Sequence, residues 1–89
     1  MQYYKHESAD RGKNGGFIYQ EIDWQRDLVV RQVMSFDGIY QWGERTGSRL
    51  VGWICDQEPS ELGVKPEEEI TEKEFESVWQ QTLESGSAR

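Results

Sequence analysis

The dipeptide Asp37-Gly38 limits the fold more than any other feature of this sequence. It separates two runs rich in β-branched and aromatic residues, 28–36 ("LVVRQVMSF") and 39–43 ("IYQWG"). A type I′ turn requires positive φ at both of its central residues, and Asp followed by Gly adopts that conformation readily. The sequence therefore predicts an antiparallel hairpin with a two-residue turn.

This turn also predicts the register of the hairpin. Phe36 would pair with Ile39, and Val33 with Trp42. Since side chains alternate between the two faces, Val33, Tyr40 and Trp42 would share one face, with Phe36 and Ile39 on the other. Both faces therefore carry apolar residues. We expect one face to pack on a helix, and the other to be half covered by loops or open to a partner.

The C-terminal segment carries the signals of a helix. Thr71 and Glu74 form a capping box, and Ile70 and Phe75 occupy the positions of a hydrophobic staple. Apolar side chains then follow at helical spacing: Phe75, Val78, Trp79 and Leu83. We predict a helix over residues 72–84.

The remaining segments predict more strands and one long loop. Residues 17–23 and 50–55 are strand-like, and residues 3–7 are the candidate for an added edge strand. Residues 56–69 hold both prolines and show no period, which indicates a loop containing one short helical turn. The predicted fold class is α+β, with a three- to four-stranded antiparallel sheet and one C-terminal helix packed on a face.

The length of 89 residues indicates a single small domain. Within it, residues 1–16 and 85–89 are the candidates for flexible ends. The first residues contain no apolar stretch, so we expect no signal peptide, no membrane span and a cytoplasmic location. The lone cysteine, Cys55, excludes an internal disulfide, and a single histidine argues against a transition-metal site. We expect no cofactor.

Charge is distributed unevenly along the chain. Residues 1–53 carry seven basic and seven acidic residues, whereas residues 54–89 carry three basic and ten acidic ones, which accounts for the whole net charge of −7. Nucleic-acid binding normally needs a basic surface, so a nucleic-acid partner is not expected. A protein partner with a basic surface fits this distribution better.

The acidic run Glu67-Glu68-Glu69 has two interpretations. It can be a solvated, acidic approach to a helix, since carboxylates are favoured at a helix N-terminus. It can also be a surface for a basic partner, since three adjacent like charges exceed what capping requires. The candidate partner-binding residues are Glu67, Glu68, Glu69, Asp56, Glu58, Glu61 and the aromatic residues Trp24, Tyr40 and Trp42.

Catalytic interpretations have weaker support. Glu21 and Asp23 would share a strand face, a pattern that fits an acid–base pair but equally fits carboxylates neutralised by Arg26 or Arg31. His6 and Cys55 would form a nucleophilic pair only if the fold brought them together. No catalytic residue is therefore assigned.

Three segments resemble a family of small, uncharacterised bacterial domains. Its motifs are a Y-x-E-[LI]-D strand, a V-R-x-V-x-x-F-x-D-G hairpin and a C-terminal I-[ST]-x-x-E-F-E-x-x-W helix. The matching residues are Tyr19, Glu21, Ile22, Asp23, Arg31, Val33, Phe36, Asp37, Gly38, Ile70, Thr71, Glu74, Phe75, Glu76 and Trp79. This chain lacks the residue between Phe36 and Asp37, has one residue more between Asp23 and Arg31, and replaces a Gly-Tyr-Ala strand by "IYQWGER". The resemblance implies a small α+β domain with no catalytic assignment.

Together these patterns predict a small, acidic, non-enzymatic protein-binding domain. Its sharpest form is an immunity or inhibitor protein that masks a basic surface on its partner. One alternative is a ligand-binding or enzymatic domain that uses Glu21, Asp23, Arg31 and Tyr40 on an open sheet face. Another is a structural module that forms a homodimer through an uncovered face.

Overall fold

The computed structural model describes residues 1–8, 16–55 and 57–85. Over these residues the chain forms six strands and one α-helix. The strands are β1 Gln2–Ser8, β2 Gly16–Asp23, β3 Leu28–Phe36, β4 Ile39–Thr46, β5 Arg49–Gly52 and β6 Glu69–Ile70. The helix α1 spans Glu72–Ser85. The α+β class is as predicted, but the prediction of three to four strands was too low.

The six strands form one antiparallel sheet in the order β5-β4-β3-β2-β1-β6. Strands β1 to β5 form a meander, in which each strand pairs with the next along the chain. After β5, at one edge of the sheet, the chain crosses to the other edge, where β6 pairs with Tyr3 and Tyr4 of β1. Of the stretch 3–7, which was expected at the edge, Tyr3 and Tyr4 therefore lie between β2 and β6.

The two chain ends expected to be flexible are described only in part. Residues 2–8 form β1 and Ser85 ends α1, whereas 9–15 and 86–89 lie outside the described residues. No helix in the described part of the chain is long and apolar enough to cross a bilayer.

The β3–β4 hairpin is formed as predicted. Asp37 and Gly38 have φ values of 50° and 77°, both in the left-handed region that a type I′ turn requires. The pairs Phe36–Ile39 and Val33–Trp42 follow from this turn. The short turn sequence therefore determines which side chains of both strands face α1.

The first turn of α1 is capped as expected. The backbone N–H of Glu74 donates to Oγ1 of Thr71 at 3.1 Å, which satisfies one of the amide groups that a helix N-terminus leaves unpaired. Ile70 packs against the core cluster that contains Phe75, as a hydrophobic staple does. The cap and the staple together direct α1 across the sheet.

α1 buries an aromatic cluster on one face of the sheet, hereafter the helix face. Phe75 and Trp79 pack with Tyr3, Tyr19 and Val33. The helical stripe continues through Thr82, whose side chain is fully buried, and not through Leu83, which is 44% exposed. The hydroxyl of Thr82 donates to the carbonyl of Val78 at 2.7 Å, so its burial leaves no polar group unsatisfied.

The opposite face is covered by the segment 53–68, hereafter the strap, of which Asp56 lies outside the described residues. The strap contains two 3-10 turns, Pro59–Glu61 and Pro66–Glu68. Its apolar residues pack on a buried cluster of the sheet, formed by Tyr4, Ile22 and Val29; these strap residues are Ile54, Cys55, Leu62 and Val64. The second sheet face is therefore covered by irregular chain, and the predicted fourth strand ends at Gly52 because the chain turns there, at a φ of 76°.

Gly43 permits the strap to cross the sheet. A Cβ atom at this position would lie 2.3 Å from the backbone carbonyl of Trp53, which is closer than any side chain allows. Gln32 pairs with Gly43 across the β3–β4 ladder, so the strap passes directly over the centre of the sheet.

A β-bulge between β2 and β3 places Arg31 and Val29 on opposite faces of the sheet. Glu21 pairs with Arg31, whereas Ile22 pairs with Val29, so one extra residue lies on β3. The extra residue reverses the alternation. Arg31 keeps the alternation of Val33 and faces α1, whereas the extra residue places Val29 on the opposite face, where it is fully buried under the strap.

Candidate functional site

A cavity of about 530 Å³ lies between the sheet and the strap. Its apolar lining consists of Ile18, Met34, Trp53, Ile54, Cys55 and Leu62, and its polar lining includes His6, Gln20, Gln32 and Glu68. A predominantly apolar wall with a few fixed polar groups, in this range of volume, is typical of small-molecule sites. We take this cavity as the candidate functional site.

The floor of the cavity is a chain of hydrogen bonds that starts at the strap backbone. Oε1 of Gln32 accepts a hydrogen bond from the backbone N–H of Cys55 (3.3 Å), and Nε2 of Gln32 donates one to the carbonyl of Trp53 (3.4 Å). The backbone therefore fixes which way the amide of Gln32 points. Gln32 Oε1 also accepts from Nε2 of Gln20 at 2.9 Å, which fixes the amide of Gln20 in turn.

The same chain continues to His6. Because Gln20 uses its nitrogen toward Gln32, its Oε1 faces Nε2 of His6 at 2.8 Å, and this ring nitrogen must carry a proton to make the bond. The other ring nitrogen, Nδ1, faces the carboxylate of Glu68 at 2.9 Å. The doubly protonated imidazole makes both bonds, whereas a neutral ring makes only one of them.

Glu68 joins the strap to this chain. Its Oε1 accepts from the backbone N–H of Lys65 at 3.0 Å as well as facing His6. These contacts, the Lys65 amide first and His6 second, hold the pKa of Glu68 below its ordinary value. The middle member of the acidic run is therefore used inside the domain, while Glu67 and Glu69 are exposed.

Cys55 lies in the lining, but the nucleophilic pair considered from the sequence is not assembled. Its thiol is 4.0 Å from the carbonyl of Gln57. Both ring nitrogens of His6 face other residues, Glu68 and Gln20. His6 therefore has no ring nitrogen available to act as the general base of this thiol.

The helix face holds the main ion-pair cluster. Arg31 binds Glu21 in a bidentate manner at 2.6 and 2.9 Å and also contacts Glu76 of α1. Its guanidinium lies 5.1 Å from the ring centroid of Phe75 and 5.0 Å from that of Trp79. The hydrogen bonds to Glu21 raise the pKa of Arg31, and those from Arg31 lower the pKa of Glu76. The cluster fastens α1 to the sheet.

This cluster accounts for the carboxylates first considered as an acid–base pair. Glu21 is buried and held by Arg31, and Asp23 is held at 2.8 Å by Arg26 in the β2–β3 turn. Two residues that share a strand face are thus neutralised separately. The face that carries them lies under α1, and the cavity lies on the other side of the sheet.

A second concave surface lies at the start of α1 beside β6, hereafter the acidic groove. It measures about 850 Å³, and its lining includes Glu69, Glu72 and Glu74 together with Met1, Tyr3, Pro66 and Ile70. The hydroxyl of Tyr3 donates to Oε2 of Glu72 at 3.2 Å. No basic side chain is present among the described residues that line it.

Two of the predicted acidic residues lie on the strap, away from this groove. Glu58 and Glu61 flank Ser60, whose N–H and hydroxyl donate to Asp27 at 3.0 and 2.7 Å. The neighbouring Asp27 raises the pKa of Glu58. The third acidic residue of this segment, Asp56, lies outside the described residues.

The three candidate aromatic residues have different surroundings. Trp24 is 40% exposed and donates from Nε1 to the hydroxyl of Tyr4 at 3.1 Å. Tyr40 and Trp42 are half-buried against the helix-face core, and the Trp42 ring meets Trp79 edge-on at 5.5 Å. Trp53, at the cavity, is exposed to a similar degree as Trp24.

The described residues contain no group of three or more His, Cys, Asp or Glu side chains that could hold a metal ion. Comparison of the chain with protein-family models, with curated proteins and with solved structures gave no match.

Sequence reasoning missed the cavity and its polar floor. Gln20 and Gln32 were visible signals, because each stands on the same strand face as the apolar residues Ile18 and Met34. A buried amide at such a position requires a hydrogen-bonding partner. The partners, His6 and the strap backbone, are distant in sequence, so the pattern alone does not identify them.

Proposed function

We propose that this domain is a non-enzymatic protein-binding module whose partner presents a basic surface. The observation that supports the proposal is the acidic groove, in which three carboxylates surround a partly apolar depression without a basic side chain among its described lining residues. Cationic groups of a partner would find favourable charge and some apolar contact there. An inhibitor or immunity protein that covers a basic catalytic surface is the most specific form of this function.

The geometry narrows the contact residues within the acidic segment. Glu69 and Glu74 line the groove and are exposed, and Glu67 is exposed on the neighbouring 3-10 turn. Glu68 does not line the groove and its side chain is turned toward His6, so it is left out of the proposed contact. The proposed contact is therefore Glu67, Glu69 and Glu74.

Photo-crosslinking would identify the partner. A photoreactive residue in place of Gln2, which lines the acidic groove, should capture a protein in the native cells, and the same residue in place of the exposed Gln80 should not. The captured protein would then be purified for kinetic measurements. Equal capture from both positions would contradict the proposal.

The association rate with the captured partner is the decisive measurement. It should fall steeply with rising salt, because complementary charge acts mainly on the encounter. The Glu69→Gln/Glu74→Gln double variant should associate roughly tenfold more slowly. Glu84→Gln, near the opposite end of α1, is the matched control and should change the rate by less than about twofold. A rate that does not respond to salt or to the double variant would refute the charged contact.

A further inference from the structure

The cavity beneath the strap has an inner end and a mouth. Gln20, Gln32 and Met34 are each at least 95% buried and form the inner end. Glu7, Gly63 and the exposed Trp53 lie at the mouth, where the side chain of Glu68 is 25% exposed. A ligand can therefore enter between the strap and β1.

The inner end offers hydrogen-bond donors. Gln20 and Gln32 each use one of the two hydrogens on Nε2, toward Gln32 Oε1 and the Trp53 carbonyl respectively. Among the described residues, no acceptor is recorded for the second hydrogen of either amide. Buried donors of this kind favour a ligand that presents an oxygen acceptor at its inner end.

The mouth selects for positive charge. Glu7 and Glu68 are its acidic residues, and the basic side chain among the described residues that line the cavity is His6, whose two ring nitrogens already face Glu68 and Gln20. Oxygen Oε2 of Glu68 makes no hydrogen bond recorded within the described part of the chain, since His6 and Lys65 both use Oε1. Lys5 and Lys65 line the adjacent groove, where Glu7, Glu67 and Glu68 outnumber them. The carboxylates of Glu7 and Glu68 favour a cationic over an anionic group at this entrance.

We propose that the cavity binds a small organic cation, with its ammonium group at Glu68, an apolar body against Trp53, Ile54 and Met34, and an oxygen at the amides of Gln20 and Gln32. This binding does not depend on the protein partner proposed above, because the cavity and the acidic groove have no lining residue in common among those described. The same chemistry could come from a free amine or from a lysine side chain of another protein. The experiment below separates these two sources.

Titration of the ¹⁵N-labelled domain, followed by two-dimensional NMR, tests the proposal. Three probes are used. Tyramine is a cation, 3-(4-hydroxyphenyl)propanoate is an anion of similar shape, and Nα-acetyl-lysine-methylamide represents a lysine side chain with its ε-ammonium group free. We expect saturable shifts centred on residues 18, 20, 32 and 54 with a cationic probe, and at least about tenfold weaker binding of the propanoate. Binding of tyramine alone assigns a free amine, and binding of the lysine derivative alone assigns a protein side chain.

Two variants show whether the shifts come from the cavity. Glu68→Gln should weaken cation binding about tenfold, whereas Glu67→Gln removes the same charge one residue away and should leave it unchanged within about twofold. Leu62→Trp fills the cavity without touching the polar floor and should abolish the shifts. The proposal is overturned if neither cation binds, if the propanoate binds equally well, if Glu67→Gln weakens binding as much as Glu68→Gln, or if a folded Leu62→Trp variant still binds.

Discussion

The two faces of the sheet are covered by different means. On the helix face, one regular element buries interlocking aromatic rings, and an ion-pair cluster joins it to the sheet. On the strap face, irregular chain leaves a cavity and is held largely through amide side chains and one histidine. A packed helix supplies rigidity, whereas loosely packed covers are where binding sites and local opening occur. We therefore expect the helix face to contribute most of the stability, whereas the strap face contains the cavity.

The largest expected difference between the faces is in packing. Phe75→Ala removes a fully buried ring and should lower the free energy of unfolding by about 3–5 kcal/mol. Leu62→Ala, on the strap, should cost roughly 1–2 kcal/mol because that side chain is half exposed. Urea unfolding monitored by tryptophan fluorescence measures both. Equal losses would mean that the strap is packed as tightly as the helix.

The second comparison concerns the ion pairs. Arg31→Met leaves the carboxylate of Glu21 buried without its partner and should cost about 3 kcal/mol. Arg26→Met is the matched control, because Arg26 is 65% exposed and its solvent-screened pair with Asp23 should contribute far less to stability. Adding Glu21→Gln to Arg31→Met should recover part of the loss. No recovery would show that the cost comes from lost packing on Phe75 and Trp79.

The polar floor on the strap face should show a smaller effect. His6→Ala leaves the buried Oε1 of Gln20 without its donor and should lower stability by about 1–3 kcal/mol. Amide hydrogen exchange should quicken at Cys55 and Lys65 of the strap while the centre of α1 stays protected. Glu7→Gln, on the next residue of β1, is the control. Uniform acceleration across both faces would contradict separate stabilisation of the strap.

Acid should weaken both attachments. The folded-state pKa values of Glu68 and Glu76 lie below the ordinary value of 4.5, by hydrogen bonds from Lys65 and Arg31 respectively. Each carboxylate therefore contributes stability above pH 4.5 that is lost as the pH falls through its lowered pKa. Thermal unfolding across this range should show a decline that is reduced in the Glu68→Gln and Glu76→Gln variants. An unchanged decline in both variants would assign it to other carboxylates.

The smallest expected effect on stability comes from the ionisation of Tyr3, on the helix face, at alkaline pH. Burial, reinforced by the carboxylates of Glu21 and Glu72, raises the pKa of Tyr3 to about 12. Because the folded pKa exceeds the unfolded one, its contribution is complete below pH 10 and is lost as the pH rises toward 12. Absorbance at the tyrosinate band should show a late-titrating group that disappears in Tyr3→Phe. Its persistence in that variant would refute the assignment.

Local sequence signals predicted the parts of the fold that depend on neighbouring residues. The register of the β3–β4 hairpin follows from Asp37-Gly38, and the start of α1 from Thr71, because their hydrogen bonds join residues only a few positions apart. The predicted stripe of α1 was wrong at Leu83, because Thr82 and not Leu83 occupies the inward-facing position at this end of the helix. Thr82 can be buried because its hydroxyl donates a hydrogen bond to the carbonyl of Val78 in the same helix.

Long-range features were not predictable from these signals. β6 pairs with β1 across more than sixty residues, and His6 meets Glu68 over a similar separation. Such contacts follow from where the strap crosses the sheet, which in turn needs the glycine at position 43. The acidic residues could be counted in the sequence, but whether each points inward or outward required the fold. Glu68 and Glu69 are adjacent in the chain and differ in this respect.

The order of the strands has a consequence during synthesis on the ribosome. The meander β1–β5 can pair as it emerges, because each strand needs only the one before it. Both faces of that sheet and the outer edge of β1 then stay uncovered until the strap, β6 and α1 have followed. One continuous stretch of chain, residues 53–85, covers both sheet faces and the edge of β1. A nascent chain halted before Glu69 would therefore expose aromatic surface and a free strand edge together, and would be a target for chaperones or for aggregation.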